Sequence, residues 1–483
     1  MSSLHINRRN FVKSFTSAAA LISFPSLVLG QTTRIRLEWQ QFKTTTQYTQ
    51  FLDAIKRMRA STATSSPSSW TYWVNAHVNY CPHGTSYFLA WHRGYLYYFE
   101  QELRKMYPTL TLPYWDYYKY SRIPAEFTDP ATGNPLYVSR TGTNVYNALT
   151  LAPFASTVVN FQRGTSNAFE TSIESQPHNP VHNLIGGEMA NMTSPRDPIF
   201  FLHHCNIDRL WYAWVRSGGK RVPYTSNPYN SSTSNSYWAG SFRYGSTMTI
   251  ERYKTYTPSW LGYDNANNTR PTSLPLSAKV ISPFKLTQAQ VPQFVTRPPD
   301  GNFPATAARA ISATSRSLGG VASVGLSEAS VSARLPLNGT NVQVVQNAVT
   351  AALSAPAQLA PDTVRSVKVV LENLQLLGAG AQGGYFYKVY INLPVSGDAT
   401  GGGEKYLLGT MGPFEIAGAS HHGSATLEFP ATEVLSKFSS TELQEFTVSF
   451  ERVSGENAPR GQVLRVGEIR IEVSTDAPWN DNP

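Results

Sequence analysis

Asp197-Pro-Ile-Phe-Phe-Leu-His-His204-Cys-Asn-Ile-Asp208-Arg209-Leu-Trp211 is the stretch on which the reading of this chain turns. Aspartate followed by proline is a strong helix start: the carboxylate caps, and the ring fits the first turn. The apolar run behind it predicts a helix from Ile199 to about Val215. That helix carries His203 and His204. Upstream, His178 and His182 lie four apart and project from one helical face. Pro180 places the start of their helix near His178. Two histidines from one helix and one from the next make a three-ligand site with an open position, which a reactive metal needs.

A second set lies earlier in the chain. Seven of the ten histidines fall in the windows 77–92 and 178–204, and the first window offers His77, His83 and His92. His92 belongs to a predicted helix from Ser86 to Met106, with His77 and His83 on a less regular segment before it. One histidine alone would read as a core or capping residue. Two matched triads read as metal ligands, because neutral imidazole offers a lone pair at neutral pH. Spacing does not choose among zinc, copper, nickel and iron. The expected fold is a mainly α domain, a four-helix bundle with metals in its core.

A resemblance makes that choice. His83-Gly-Thr-Ser-Tyr-Phe-Leu-Ala-Trp-His92-Arg93, with Glu100 beyond it, resembles the first copper signature of tyrosinases and haemocyanins. The Asp197–Trp211 stretch resembles the second. Leu112-Pro-Tyr-Trp-Asp116 and Tyr263-Asp264 are similar to segments that follow the first signature and close the domain. The resemblance covers about residues 36–265 and implies two copper ions with dioxygen as co-substrate. It assigns His77, His83 and His92 to one copper, and His178, His182 and His204 to the other. It selects His204 over His203, which is left to support or packing, and makes Asp208 the acid that orients a ligand. A salt bridge from Asp208 to Arg93 or Arg209 is the simpler alternative.

The same resemblance implies a thioether between Cys81 and His83. A free buried thiol is the alternative. Glu174 and Asn179 resemble the pair that holds a water to take the phenol proton, which is general-base work; an ordinary carboxylate and a helix cap are their plain readings. The implied activity is ortho-hydroxylation of monophenols and oxidation of o-diphenols to o-quinones. The alternatives are a catechol or o-aminophenol oxidase and a haemocyanin-like oxygen carrier, which shares the site.

The rest of the chain sets the frame. It has 483 residues, 41% apolar and 15% charged, which suits two or three globular domains. The formal charge is +9 without basic clusters, so nucleic acid is not an expected partner. Two cysteines exclude a disulfide framework. Residues 1–30, with Arg8-Arg9 before an apolar stretch, resemble a twin-arginine export signal. They predict export to the periplasm or outside the cell, with no stable membrane association after removal of the signal. The copper domain is expected over 31–291, and a Pro/Ala/Ser/Arg-rich linker over 292–320 offers arginines to an activating protease. Alternating patterns such as Val367-Lys-Val-Val-Leu and Ile469-Arg-Ile-Glu-Val predict a C-terminal all-β sandwich over 321–483. It resembles the shielding domain of latent pro-enzymes, with loops around Phe386 or Phe414 as candidate plugs.

Overall fold

Four apolar helical stretches that cannot bury themselves singly meet around one centre. In the computed structural model, which describes residues 33–220, 236–276, 297–354, 360, 362–395, 403–421, 423 and 425–477, they are joined to a two-sheet domain. The proposed export signal lies outside the described residues. No described helix is long and apolar enough to cross a membrane.

The helices are α1 (Gln47–Ala60), α2 (Trp70–Tyr80), α3 (Phe88–Met106), α4 (Asn179–Ile185) and α5 (Ile199–Arg216). Trp39–Phe42 forms a short helical turn separate from α1. Thr44 and Thr45 turn their hydroxyls onto the carbonyls of Gln41 and Phe42, an interaction that competes with helix propagation. Helix α2 corrects the expectation of irregular chain around His77. Trp70, Trp73, Val74 and His77 recur at helical spacing and are all buried. Helix α5 is buried on nearly every side and is the central helix of the domain. Asp197 accepts the Ile199 amide at 3.0 Å and is held by Arg140, and the helix starts at Ile199 as expected, with Pro198 at the cap position. Phe99 stacks on Phe201 at 3.7 Å and locks α3 against α5.

The C-terminal residues form two sheets. One runs in the order Leu427–Pro430, Ser366–Glu372, Leu464–Ser474, Ser315–Leu326, Ala305–Thr306. The other runs Leu407–Met411, Tyr385–Ile391, Phe446–Ser454, Val331–Leu335, Asp300–Gly301. Antiparallel register such as Val369↔Ile471 and Val389↔Phe450 turns the alternate apolar residues inward to a second core. Helices α6 (Gly339–Ala352) and α7 (Pro413–His421) are added to the sandwich.

Residues 300–320 depart from the linker expected there. Ala305 and Thr306 pair with Val321 and Gly320, and Arg309 and Ala310 pair with Ser317 and Arg316. Small residues are used because the strand is crowded. A Cβ on Gly320 would collide with the Ile469 carbonyl. Strand pairing therefore withdraws Arg309 and Arg316 from the expected protease sites.

The two parts are pinned together by polar contacts. Glu456 accepts the Thr143 amide at 2.8 Å and Arg122 at 2.9 Å. Asn183, beside His182 on α4, accepts the Phe414 amide at 2.8 Å and donates to Glu415 at 2.7 Å. A Cβ on Gly412 would strike Asn183, which shows how closely the chain before α7 approaches the helix.

Candidate metal centre

Five of the six histidines are presented by helical segments whose apolar faces are already fixed, and His83 lies on the turn between α2 and α3. His77 ends α2, His92 sits in the first turn of α3, His178 and His182 flank the start of α4, and His204 lies mid-α5. The outer nitrogens are spoken for. Nδ1 of His77 donates to the Met192 carbonyl at 2.8 Å, and Nδ1 of His92 to that of Phe88 at 2.8 Å. Nδ1 of His182 donates to the Met189 carbonyl at 2.8 Å, and Nδ1 of His178 to Oδ1 of Asn179 at 2.7 Å. These acceptors fix tautomer and ring orientation, so the Nε2 lone pairs face inward.

The inward atoms form two clusters. His178 Nε2 lies 3.3 Å and His182 Nε2 3.4 Å from His204 Nε2. Imidazole–metal bonds are about 2.0–2.1 Å long, so the nitrogens of a tetrahedral site sit about 3.3 Å apart. With Nδ1 protonated on His178 and His182, neither Nε2 carries a hydrogen to donate. Both lone pairs are thereby available to a shared cation. In the other cluster the donor atoms of His77, Cys81, His83 and His92 lie within 4.8 Å of one another. His77 Nε2 is buried without a hydrogen-bond partner. The His92 and His204 rings stack at 4.2 Å, so the clusters share a wall. The residues present fit two metal ions.

Burial sets the charge of this cage. It lowers the pKa of His77 from 6.5 to about 4 and that of His182 from 6.5 to about 3. His92, His178, His203 and His204 are lowered by burial and then by each other's charge. All six are therefore neutral donors at pH 7. Unfolding releases them to take up protons below 6.5, so the metal-free fold is at full strength above that pH and weakens as pH falls toward 4. Each such histidine contributes about 1.4 kcal/mol per pH unit in that window. We expect the melting temperature of the metal-free chain to fall steeply from pH 6.5 to pH 4.5. A flat profile would mean that the histidines are already protonated in the fold.

His203 joins the second cluster, with both ring nitrogens buried and unpartnered. Its ring stacks on His178 at 5.2 Å. The resemblance left it with support or packing, and the geometry places it among the donors. Asp208 is paired with Arg93 at 2.6 Å and Arg36 at 3.4 Å and accepts the Tyr263 hydroxyl. Its partners are these cations and this phenol rather than a histidine, so it fixes α3 to α5. Arg209 turns away to Asp116 at 3.2 Å.

A cavity of about 560 Å³ runs to this cage and is lined by His83, Arg163, Glu174, Asn179 and Phe414 among others. Glu174 Oε1 accepts the Gly84 amide at 2.9 Å, which ties it to the residue after His83. The Phe414 ring stacks on His182 at 4.0 Å and meets His83 at 5.3 Å and His178 at 5.7 Å edge-on. Phe386 is a strand residue that packs into the helical core. Only Phe414 of the two candidate plugs reaches the histidines.

The matches to known proteins fall on these elements. Residues 46–160 and 135–217 match the common central domain of tyrosinase. A tyrosinase of Hahella sp. (strain CCB-MM4) is 34% identical over 209 residues, covering 32% of this chain and 45% of that protein. The chloroplastic polyphenol oxidase A of Solanum lycopersicum is 28% identical over 236 residues, covering 35% of this chain and 37% of its own. The matched part thus spans less than half of these relatives. The solved structure of latent apple tyrosinase, 20% identical, superposes with a TM-score of 0.50 over 93% of this chain and 99% of that one. That likeness of fold takes in the C-terminal sandwich. The family's metals are two copper ions, and two histidine clusters here can hold them. Residues 46–217 thus carry the common central domain of tyrosinase, and both histidine clusters lie within it.

Proposed function

We propose that the chain oxidises phenols with dioxygen, hydroxylating monophenols at the ortho carbon and converting o-diphenols to o-quinones, and that it is latent while intact. The observation that carries this reading is the Phe414 ring stacked on His182 inside a histidine cage built for two metals. A ring that fits there marks the place of a substrate ring. His77, His83 and His92 would hold one copper, and His178, His182 and His204 the other. When bound, copper supplies the redox chemistry by which dioxygen takes electrons from the phenol.

The protein's own contribution is orientation, dryness and proton transfer. Phe88, Phe200 and the helix core exclude water from the cage. Asn179 uses Oδ1 to orient His178, which leaves its amide hydrogens to donate to a water. Glu174 accepts from the same water and directs its lone pair to the phenol hydroxyl, whose proton it receives. A small phenol is the substrate class. Proteolysis between the helical domain and the sandwich is the proposed release, and residues 1–30 the proposed export signal. A helical domain within 31–291 and a sandwich that takes in the strands from Asp300 onward go with that reading.

Cys81 Sγ lies 3.5 Å from His83 Nε2, and burial raises its thiol pKa. We assign the pair a thioether, formed with loss of two hydrogens to dioxygen on copper loading. Mass spectrometry of the digested, loaded protein should find a cross-linked peptide two hydrogens lighter than its parts. A freely alkylated Cys81 would refute the bond.

Oxygen uptake by the copper-loaded chain, before and after limited proteolysis, tests the function. Uptake with a catechol and with a monophenol, rising after the cut, is the expected result. Reversible oxygen binding without turnover would overturn it in favour of a carrier.

A further inference from the structure

Two buried carboxylates flank the cage and have one cation between them. Glu170 and Glu174 lie one helical turn apart and are both buried. Glu170 accepts the Leu89 amide at 3.3 Å and the Arg163 amide at 3.2 Å, so it holds the backbone of Arg163. The Arg163 guanidinium pairs with Glu174. The remaining contact of Glu174 is the Gly84 amide. Burial pushes Glu170 up to about 7 and raises Glu174 as well, while Arg163 pulls Glu174 back down. A carboxylate without its cation in such a place would take a proton, because burial penalises the charged form.

We propose that Arg163 is a positioning residue that keeps Glu174 anionic at the mouth of the cage and thereby sets the ratio of monophenol to o-diphenol turnover. The inference rests on the role of Glu174 given above. The monophenol must deliver its proton to the water at Glu174 before the ring is hydroxylated, and a protonated Glu174 has no lone pair aimed at that water. Oxidation of an o-diphenol is electron transfer and leans on this base less. Two other groups that face Glu174 do not replace Arg163. Glu170 is a carboxyl and brings no positive charge, and Cys81 is neutral both as a buried thiol and as the proposed thioether. The Arg163 backbone amide still donates to Glu170 after a substitution, so an effect through the fold would come from lost packing of the side chain. The test separates the two roles.

The full chain carrying Phe414→Ala, copper-loaded, is compared with the same chain carrying Arg163→Gln, Arg163→Lys or Glu174→Gln. The monophenol-to-catechol rate ratio should drop about tenfold or more in Arg163→Gln and in Glu174→Gln, with recovery in Arg163→Lys. In the metal-free full chain at pH 7, infrared difference spectra against Glu174→Gln should show an ionised carboxylate with Arg163 present and a protonated carboxyl with Arg163→Gln. If Glu174→Gln lowers the ratio but Arg163→Gln lowers both rates in parallel, or Glu174 stays ionised without Arg163, the proposal is overturned and the role of Glu174 stands. If Glu174→Gln leaves the ratio unchanged, the role of Glu174 fails and the proposal with it.

Discussion

Replacing Phe414 by alanine raises catechol-dependent oxygen uptake by the intact, copper-loaded chain by about tenfold or more. The ring is covalently tethered above the cage, so it competes with substrate as an intramolecular ligand. A short tether corresponds to an effective concentration in the millimolar range, which few free phenols match. Its hold is specific: the ring lies 16° from the plane of His182, and its backbone amide is fixed by Asn183 next to that histidine. Phe414 belongs to neither hydrophobic core, so its truncation opens the entrance while leaving both cores packed. Wild type and variant should differ little after proteolysis has removed the sandwich. Unchanged uptake by the intact variant, with a normal rise on proteolysis, would mean that another element shields the site.

Asp208→Ala lowers the stability of the chain by about 3–5 kcal/mol, read as a fall in the denaturation midpoint. Removing one partner of a buried charge network leaves the others charged and dry, and that is the costly change. Here the stranded groups are Arg93 and Arg36, both buried, with the Tyr263 hydroxyl losing its acceptor. Arg36 retains Glu100 at 2.9 Å, whereas Arg93 keeps the carbonyls of Thr255 and Tyr256 and the Trp211 ring at 3.6 Å but no carboxylate. The damage therefore centres on α3, which carries His92. Asp208→Asn keeps an acceptor but not the charge, and should fall between wild type and alanine. A midpoint within about 0.5 kcal/mol of wild type in the alanine variant would show that the network is hydrated, as surface substitutions are.

Much of the centre was legible in the sequence, for identifiable reasons. The long helices α3 and α5 began and ended close to where capping and periodicity placed them. Strands Ser366–Glu372 and Leu464–Ser474 followed from alternation. Helix α2 was missed because its aromatic and β-branched residues mask a 3.6 period that only burial exposes. The strands at 300–320 were missed because small, polar residues pack against a neighbouring backbone there as well as they solvate a linker. Helix α7, which delivers Phe414, has an even apolar content without a clear face. Its place at the cage is set by Asn183, more than 200 positions away in the chain, and local pattern carries no such information. His203 illustrates the same limit. Its neighbour matched the signature, and nothing but the fold could put both in one cluster.

The most direct test of the account is the number of copper ions per chain, measured by elemental analysis after loading and removal of excess metal, in the wild type and in His178→Ala. The account predicts two ions in the wild type and one in the variant, because His77, His83 and His92 keep their own ion. A single ion in the wild type, or two retained without His178, would contradict it.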